Sequence, residues 1–212
     1  MNLRPTASIW ILCGATIANS VLIPSAKADE TAVLDLTRSS FNFLALKRLG
    51  PPIQGEFRVA TGHLDTRADG QRQVVIVLQA DSVSVEGSAM QTRVARSDLL
   101  FATQRYPQIE FRSDWHTQQM LRAGGVFGGT VTLRGVTLRE QFTVSPSTCS
   151  QPGERCAIEA QGRINRERYG MKGLGAIMRP DVELQFKVRF VPSGTASATA
   201  SNATSKKNRA GN

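Results

Sequence analysis

Val182-Glu183-Leu184-Gln185-Phe186-Lys187-Val188-Arg189-Phe190 is the stretch that decides the fold of this chain. Five apolar side chains alternate with four charged or amide ones without a break. A period of two puts all five on one face of an extended strand, whereas a helix would scatter them around its circumference. The stretch reads as a half-buried β-strand, with one face toward a core and the other toward water.

The same period continues outward along the chain. Val74, Ile76, Leu78 and Ala80 share one face, and Val75 and Val77 make the other face apolar as well. Runs at 33–37, 40–46, 56–65, 108–117, 125–133, 138–145 and 155–164 read as further strands. Turn signals separate them at Gly50-Pro51-Pro52, Ala68-Asp69-Gly70, Gly124-Gly125, Pro152-Gly153 and Arg179-Pro180-Asp181. Only residues 88–104 break the alternation. There Met90, Val94, Leu99 and Leu100 predict a short helical insertion, as one helix or two short turns, stopped before Tyr106-Pro107 because the residue ahead of a proline leaves the helical region. The fold class expected is all-β with about eight strands. A sheet of that size with a polar face must curl or split to remove its edges, which an extended antiparallel β-barrel does. Alternation alone does not separate a barrel from a two-sheet sandwich.

The two ends read differently from the middle. Residues 9–23 are mostly apolar, follow Arg4 and lead to Ala26-Lys27-Ala28, the pattern of a secretory signal cleaved after Ala28. The run falls short of the ~20 residues that a membrane-crossing helix needs. Residues 1–28 are therefore expected to be a signal peptide that sends the protein to the periplasm. Residues 193–212 hold Lys206, Lys207 and Arg209 among Ala, Ser, Thr, Gly and Asn, and predict a disordered basic tail. Residues 29–192 form one domain.

The chain has 26 Lys and Arg against 17 Asp and Glu, but five of the cations lie in the signal and the tail. The domain is only mildly basic, its cations are spread along the strands, and no RNA-binding aromatic motif occurs, which argues against nucleic acid. Transient attraction to the anionic headgroups of a membrane surface fits this charge better. Cys149 and Cys156 flank a Pro-Gly turn and read as a disulfide that ties a loop. No metal site is expected, since zinc takes four ligands and the histidines are His63 and His116 alone. No Gly-x-Ser-x-Gly elbow, phosphate loop or dinucleotide fingerprint is present, and no spacing places a nucleophile beside either histidine. The reading is that the chain is not an enzyme.

Six segments carry a resemblance by their order. Gly55-Glu56-Phe57 precedes Gly62-His63-Leu64-Asp65, and a Val-rich strand then ends in Asp81-Ser82-Val83. After the helical stretch come Tyr106-Pro107-Gln108-Ile109-Glu110-Phe111-Arg112-Ser113, Gly129-Thr130-Val131-Thr132-Leu133-Arg134-Gly135-Val136-Thr137 and Ile164-Asn165-Arg166-Glu167-Arg168-Tyr169-Gly170-Met171. Over residues 31–190 the chain resembles the YceI-like family of periplasmic lipid-binding proteins. The resemblance implies a lipocalin-like extended barrel with a helical insertion, enclosing an apolar tunnel for a polyisoprenoid chain. Three positions depart from the family's pattern. Its Arg-Asp-x-His-Leu stretch is matched by Gln91-Thr92-Arg93-Val94-Ala95, a histidine by Arg134, and a Phe-Phe pair by Leu100-Phe101.

Candidate ligand-binding residues are Phe43, Phe57, Ile76, Leu78, Leu100, Phe101, Ile109, Phe111, Trp115, Phe127, Val131, Phe142, Ile164, Met171, Leu184 and Phe186, joined by Val74. Arg134, with Arg166 and Arg168, is the candidate for a polar head. Taken singly, each apolar residue also suits a packed core. Met171, Leu174, Ile177 and Met178, set among Gly170, Gly173 and Gly175, read as a flexible apolar lid at a barrel mouth. The function expected is a periplasmic binding or carrier protein for an isoprenoid-like lipid, such as a polyprenyl chain or an isoprenoid quinone, with no other cofactor. The alternative is a non-enzymatic interaction or stress-accessory module with a fully packed barrel. A homodimer is compatible with either.

Overall fold

The structure is a computed structural model and describes residues 30–193. The expected signal peptide, and the expected tail beyond Ser193, lie outside the described residues. Twelve strands follow in chain order: β1 Glu30–Leu34, β2 Ser40–Lys47, β3 Ile53–Phe57, β4 Ala60–Thr66, β5 Arg72–Gln79, β6 Val83–Val85, β7 Gln108–Ser113, β8 Gly125–Leu133, β9 Val136–Val144, β10 Ile158–Asn165, β11 Met178–Val188 and β12 Phe190–Pro192. Two helices, α1 Ala89–Arg96 and α2 Gln118–Ala123, interrupt them.

All twelve strands belong to one antiparallel, strongly curled, barrel-like sheet in the order β12-β1-β4-β5-β7-β8-β9-β10-β11-β2-β3-β6. The fold class is all-β as expected, but the count of about eight strands is corrected to twelve. Long runs that alternation reads as one strand are broken by bends. The run at 33–37 leaves β1 for a 3₁₀ turn, in which the Asp35 carboxylate accepts from the Thr37 N–H. The run at 56–65 breaks between Phe57 and Ala60, and the closing run breaks at Arg189. The first two broken stretches keep the same neighbours on both sides of their bends, β1 and β2 pairing with β4 and β3, which in turn pair with β5 and β6. The closing run keeps one, β11 pairing with β2 and β12 with β1. A strand that bends without losing its partner concentrates twist at the bend, and the sheet curls.

Three other boundaries differ from the sequence expectation. The run at 108–117 ends at Ser113, after which His116 makes only an isolated bridge to Arg72. The run at 155–164 begins at Ile158, because the residues before it belong to the disulfide loop. Of the helix or two short turns expected within 88–104, a helix of eight residues forms. Ser88 Oγ caps its start by accepting from Gln91 N, and the chain then passes into turns.

The up-and-down order gives the sheet two dissimilar ends. At the lower end lie the loop after β9 and α2, and there Leu64, Leu121, Val144, Ile158 and Phe190 pack into a solid core. Cys149 and Cys156 are bonded in this loop, Pro152 is fully buried, and Phe190 N donates to Gly153 O at 2.6 Å. The upper end is bordered by the β2–β3 turn, α1 with the turns after it, the β8–β9 hairpin and the Gly-rich loop between β10 and β11. That hairpin turns on Arg134 and Gly135 with φ of 52° and 74°, so both adopt the left-handed conformation of a tight two-residue turn.

Candidate functional site: an apolar cavity open at the upper end

Above the lower core the curled sheet encloses a cavity of about 360 Å³. The inward parity of β2 and β11 builds much of its wall. Phe41, Phe43 and Ala45 alternate inward, and in register opposite them stand Phe186, Leu184 and Val182. β5 contributes Ile76 and Leu78, and their antiparallel partners Phe111 and Ile109 on β7 continue the wall. Two aromatic groups line it. Phe101 lies edge-on to Phe57 with ring centres 5.3 Å apart, and Phe43 joins them at 5.8 and 6.0 Å. Phe142 packs against Phe111 at 5.1 Å and Phe186 at 5.7 Å.

Glycines make this aromatic wall fit. A Cβ on Gly162 would stand 2.5 Å from the Phe142 ring, and one on Gly55 would overlap the Phe43 ring. Both positions are therefore restricted to glycine unless a ring swings inward.

Among the lining residues only Asn42, Lys47, Gln91 and Arg166 are polar, and there is no carboxylate, imidazole, thiol or hydroxyl. Arg166 is 1 % exposed. Its Nε donates to Arg179 O at 3.1 Å, and its Nη1 donates to Met171 O and to Gly173 O, the latter at 2.7 Å. A guanidinium thus pins the Gly-rich loop to the barrel rim, and Glu167 Oε1 stands 3.8 Å from Nη2. Burial pushes the Arg166 guanidinium below its ordinary pKa, while the Glu167 charge acts in the opposite direction. The next residues are anchored outside the cavity. Tyr169 donates to Glu140 at 2.9 Å and Arg168 approaches the same carboxylate at 3.3 Å. Burial first, and then the bond to Glu140, raise the Tyr169 hydroxyl pKa far above its usual value.

Fourteen of the proposed ligand-binding residues border the cavity: Phe43, Phe57, Ile76, Leu78, Leu100, Phe101, Ile109, Phe111, Val131, Phe142, Ile164, Met171, Leu184 and Phe186. Leu174, Ile177 and Met178 of the expected lid do so too. Trp115, Phe127, Arg134, Val74 and Arg168 lie elsewhere. Trp115 packs under Arg67, whose guanidinium carbon is 3.6 Å from the ring centre. Phe127 stands opposite Phe142 in register, but its ring packs at 5.5 Å on His116 in the lower core. Arg134 donates to Asp98 O at 2.9 Å and to Leu100 O, so it holds the turns after α1. Val74 is buried without reaching the cavity. Sequence reasoning missed Phe41, Ala45 and Val182, whose strand parity with Phe43 and Leu184 was a usable signal. It also missed Gln91, Val94 and Ala95, which a helix presents and alternation does not reveal.

The family profile of the YceI-like domain matches residues 33–190. The chain belongs to the YceI-like family. Among solved structures, this YceI-like chain is similar to a polyisoprenoid-binding domain from Saccharophagus degradans implicated in plant cell wall breakdown. The two are 19 % identical with a TM-score of 0.56, and the match covers 78 % of this chain and 99 % of that one. It is similar to BcnA of Burkholderia cenocepacia at 18 % identity and TM-score 0.56, over 73 % of this chain and 98 % of that one. A comparison with curated proteins finds no match.

Proposed function

We propose that the protein is a periplasmic carrier that holds a long isoprenoid-like lipid in the cavity and does no chemistry on it. The observation that carries this reading is the wall. A cavity of about 360 Å³ lies within the size range of ligand sites, and apolar cavities of this kind stay dry and accept apolar guests. Membership of a family in which a relative is described as polyisoprenoid-binding supports the choice of an elongated branched hydrocarbon. A hollow interior does not favour the alternative of a fully packed interaction module.

Energetics point to exchange rather than permanent capture. Taking one five-carbon isoprene unit out of water is worth up to about 4 kcal/mol at ~0.8 kcal/mol per carbon. A bilayer already supplies that gain, so net affinity must come from fit against the aromatic wall. Native mass spectrometry of the protein purified from periplasm, followed by organic extraction, tests the proposal. A stoichiometric apolar isoprenoid mass is expected. A clean apo mass that persists after exposure to membrane extract would overturn it.

A further inference from the structure

We infer that the cavity rim is a docking surface for an anionic lipid bilayer, with exposed apolar side chains entering the membrane and basic side chains meeting its headgroups. This rests on the lipid-binding reading and names the partner with which the cavity exchanges. Ile177 marks the rim, because it both lines the cavity and is 56 % exposed. Arg48 ties the β2–β3 turn to it: its N–H donates to Ile177 O and its Nε to Gly175 O, both at 2.8 Å. The next residue, Leu49, is 90 % exposed. Gln91 lines both the cavity and a surface groove shared with Lys47, Pro51 and Glu86, which brings α1 beside the same turn. Its neighbour Met90 is 76 % exposed. Gly173 lies so close to Leu99 that a Cβ would meet Leu99 O at 2.7 Å, and Leu99 is 47 % exposed. Half of the eight large apolar side chains exposed by the described residues therefore surround one opening.

Charge is concentrated at the same place. Residues 47–52, 86–99 and 170–179 carry six cations, Lys47, Arg48, Arg93, Arg96, Lys172 and Arg179, against Glu86 and Asp98. The other described residues are nearly balanced, with fifteen cations and fourteen anions. Apolar tips on three separate loops around an opening, set in a positive field, complement a headgroup layer over hydrocarbon. Each cation held at an anionic surface strengthens association by about fivefold. Contact through the rim also lets an apolar guest pass between bilayer and cavity without crossing water.

The test is co-sedimentation of the exported full chain with vesicles of phosphatidylglycerol and phosphatidylethanolamine, compared with vesicles of phosphatidylcholine alone. Arg93→Gln with Lys172→Gln should weaken binding to the anionic vesicles by about twenty-five-fold. Leu49→Ser with Met90→Ser should weaken it as well, and both pairs change exposed side chains outside the cavity wall, so their melting curves should match the parent. Arg163→Gln with Lys187→Gln removes the same charge from the outer wall, where these residues pair with Glu183 and Glu159, and should leave binding nearly unchanged. Every variant keeps the basic tail. Equal losses at rim and wall would overturn the inference, as would capture of a protein partner through the rim in place of vesicle binding. A chain that carries a lipid by mass spectrometry yet ignores the anionic vesicles would overturn the docking surface and leave the carrier reading standing.

Discussion

Arg166→Met removes a buried charge while keeping a side chain of similar length. The guanidinium serves three backbone carbonyls, those of Arg179, Met171 and Gly173, and two of them belong to the Gly-rich loop. Each buried carbonyl left without a donor costs about 1–3 kcal/mol. Relief from burying the charge offsets part of the total, which leaves a net loss of about 3 kcal/mol. That is a large share of the roughly 5–15 kcal/mol by which domains are stable. For a domain of this size it lowers the melting temperature by about 6–12 °C, at 2–4 °C per kcal/mol. Arg166→Lys keeps a charge but lacks the planar fork that spans three carbonyls, so it should fall between the two. Urea unfolding followed by far-UV circular dichroism measures the loss, and extraction of bound lipid measures whether the loosened loop still holds its guest. An Arg166→Met protein within about 0.5 kcal/mol of the parent would refute the argument, because surface-like substitutions cost no more than that.

Other changes test the remaining parts. Ala45→Phe places a ring inside the cavity, so lipid occupancy should fall while the empty protein keeps its stability. A loss of about 1–3 kcal/mol in the melting of the empty variant would instead show an interior already filled. Cys149→Ser with Cys156→Ser, or reduction, should cost roughly 2–3 kcal/mol in urea unfolding by releasing a short closed loop. Lipid retention should not change, because that loop lies at the end away from the mouth. Burial lowers the His116 pKa below 6.5, opposed by its bond to Asp114 O, so the unfolded chain binds more protons than the native one below that pH. Stability should be fully present above pH 6.5 and fall on acidification, with a slope of at most about 1.4 kcal/mol per pH unit. His116→Gln should flatten that slope in urea midpoints measured across pH.

Alternation made the face of each strand legible, since every inward residue of β2 and β11 follows from the parity of Phe43 and Leu184. It could not show where a strand bends. The bend at Arg58-Val59 preserves both neighbours and that at Arg189 preserves one, so apolar side chains keep recurring across them. Depth along the barrel was also hidden. Phe127 and Phe142 occupy opposed positions on one inner face, yet only Phe142 reaches the cavity, because the Phe127 ring packs on His116 instead. α2 itself has a single buried residue, Leu121, too little for a helical period to register. The arginines were half legible for a different reason: Arg166 borders the cavity and Arg134 does not. A sequence names a charge but not the carbonyls that will surround it, and Arg134 and Arg166 each serve a loop.

The solid lower end turns the cavity into a ruler. With the packed rings of Phe41, Phe111, Phe142 and Phe186 as its deepest lining residues, a linear guest can advance only until its leading end meets that floor. Any further length must stay at the mouth, where each protruding isoprene unit remains in water or membrane and adds nothing to binding. Affinity should therefore climb with chain length and then level off. Carving the floor, as in Phe142→Ala, should move that plateau toward longer chains.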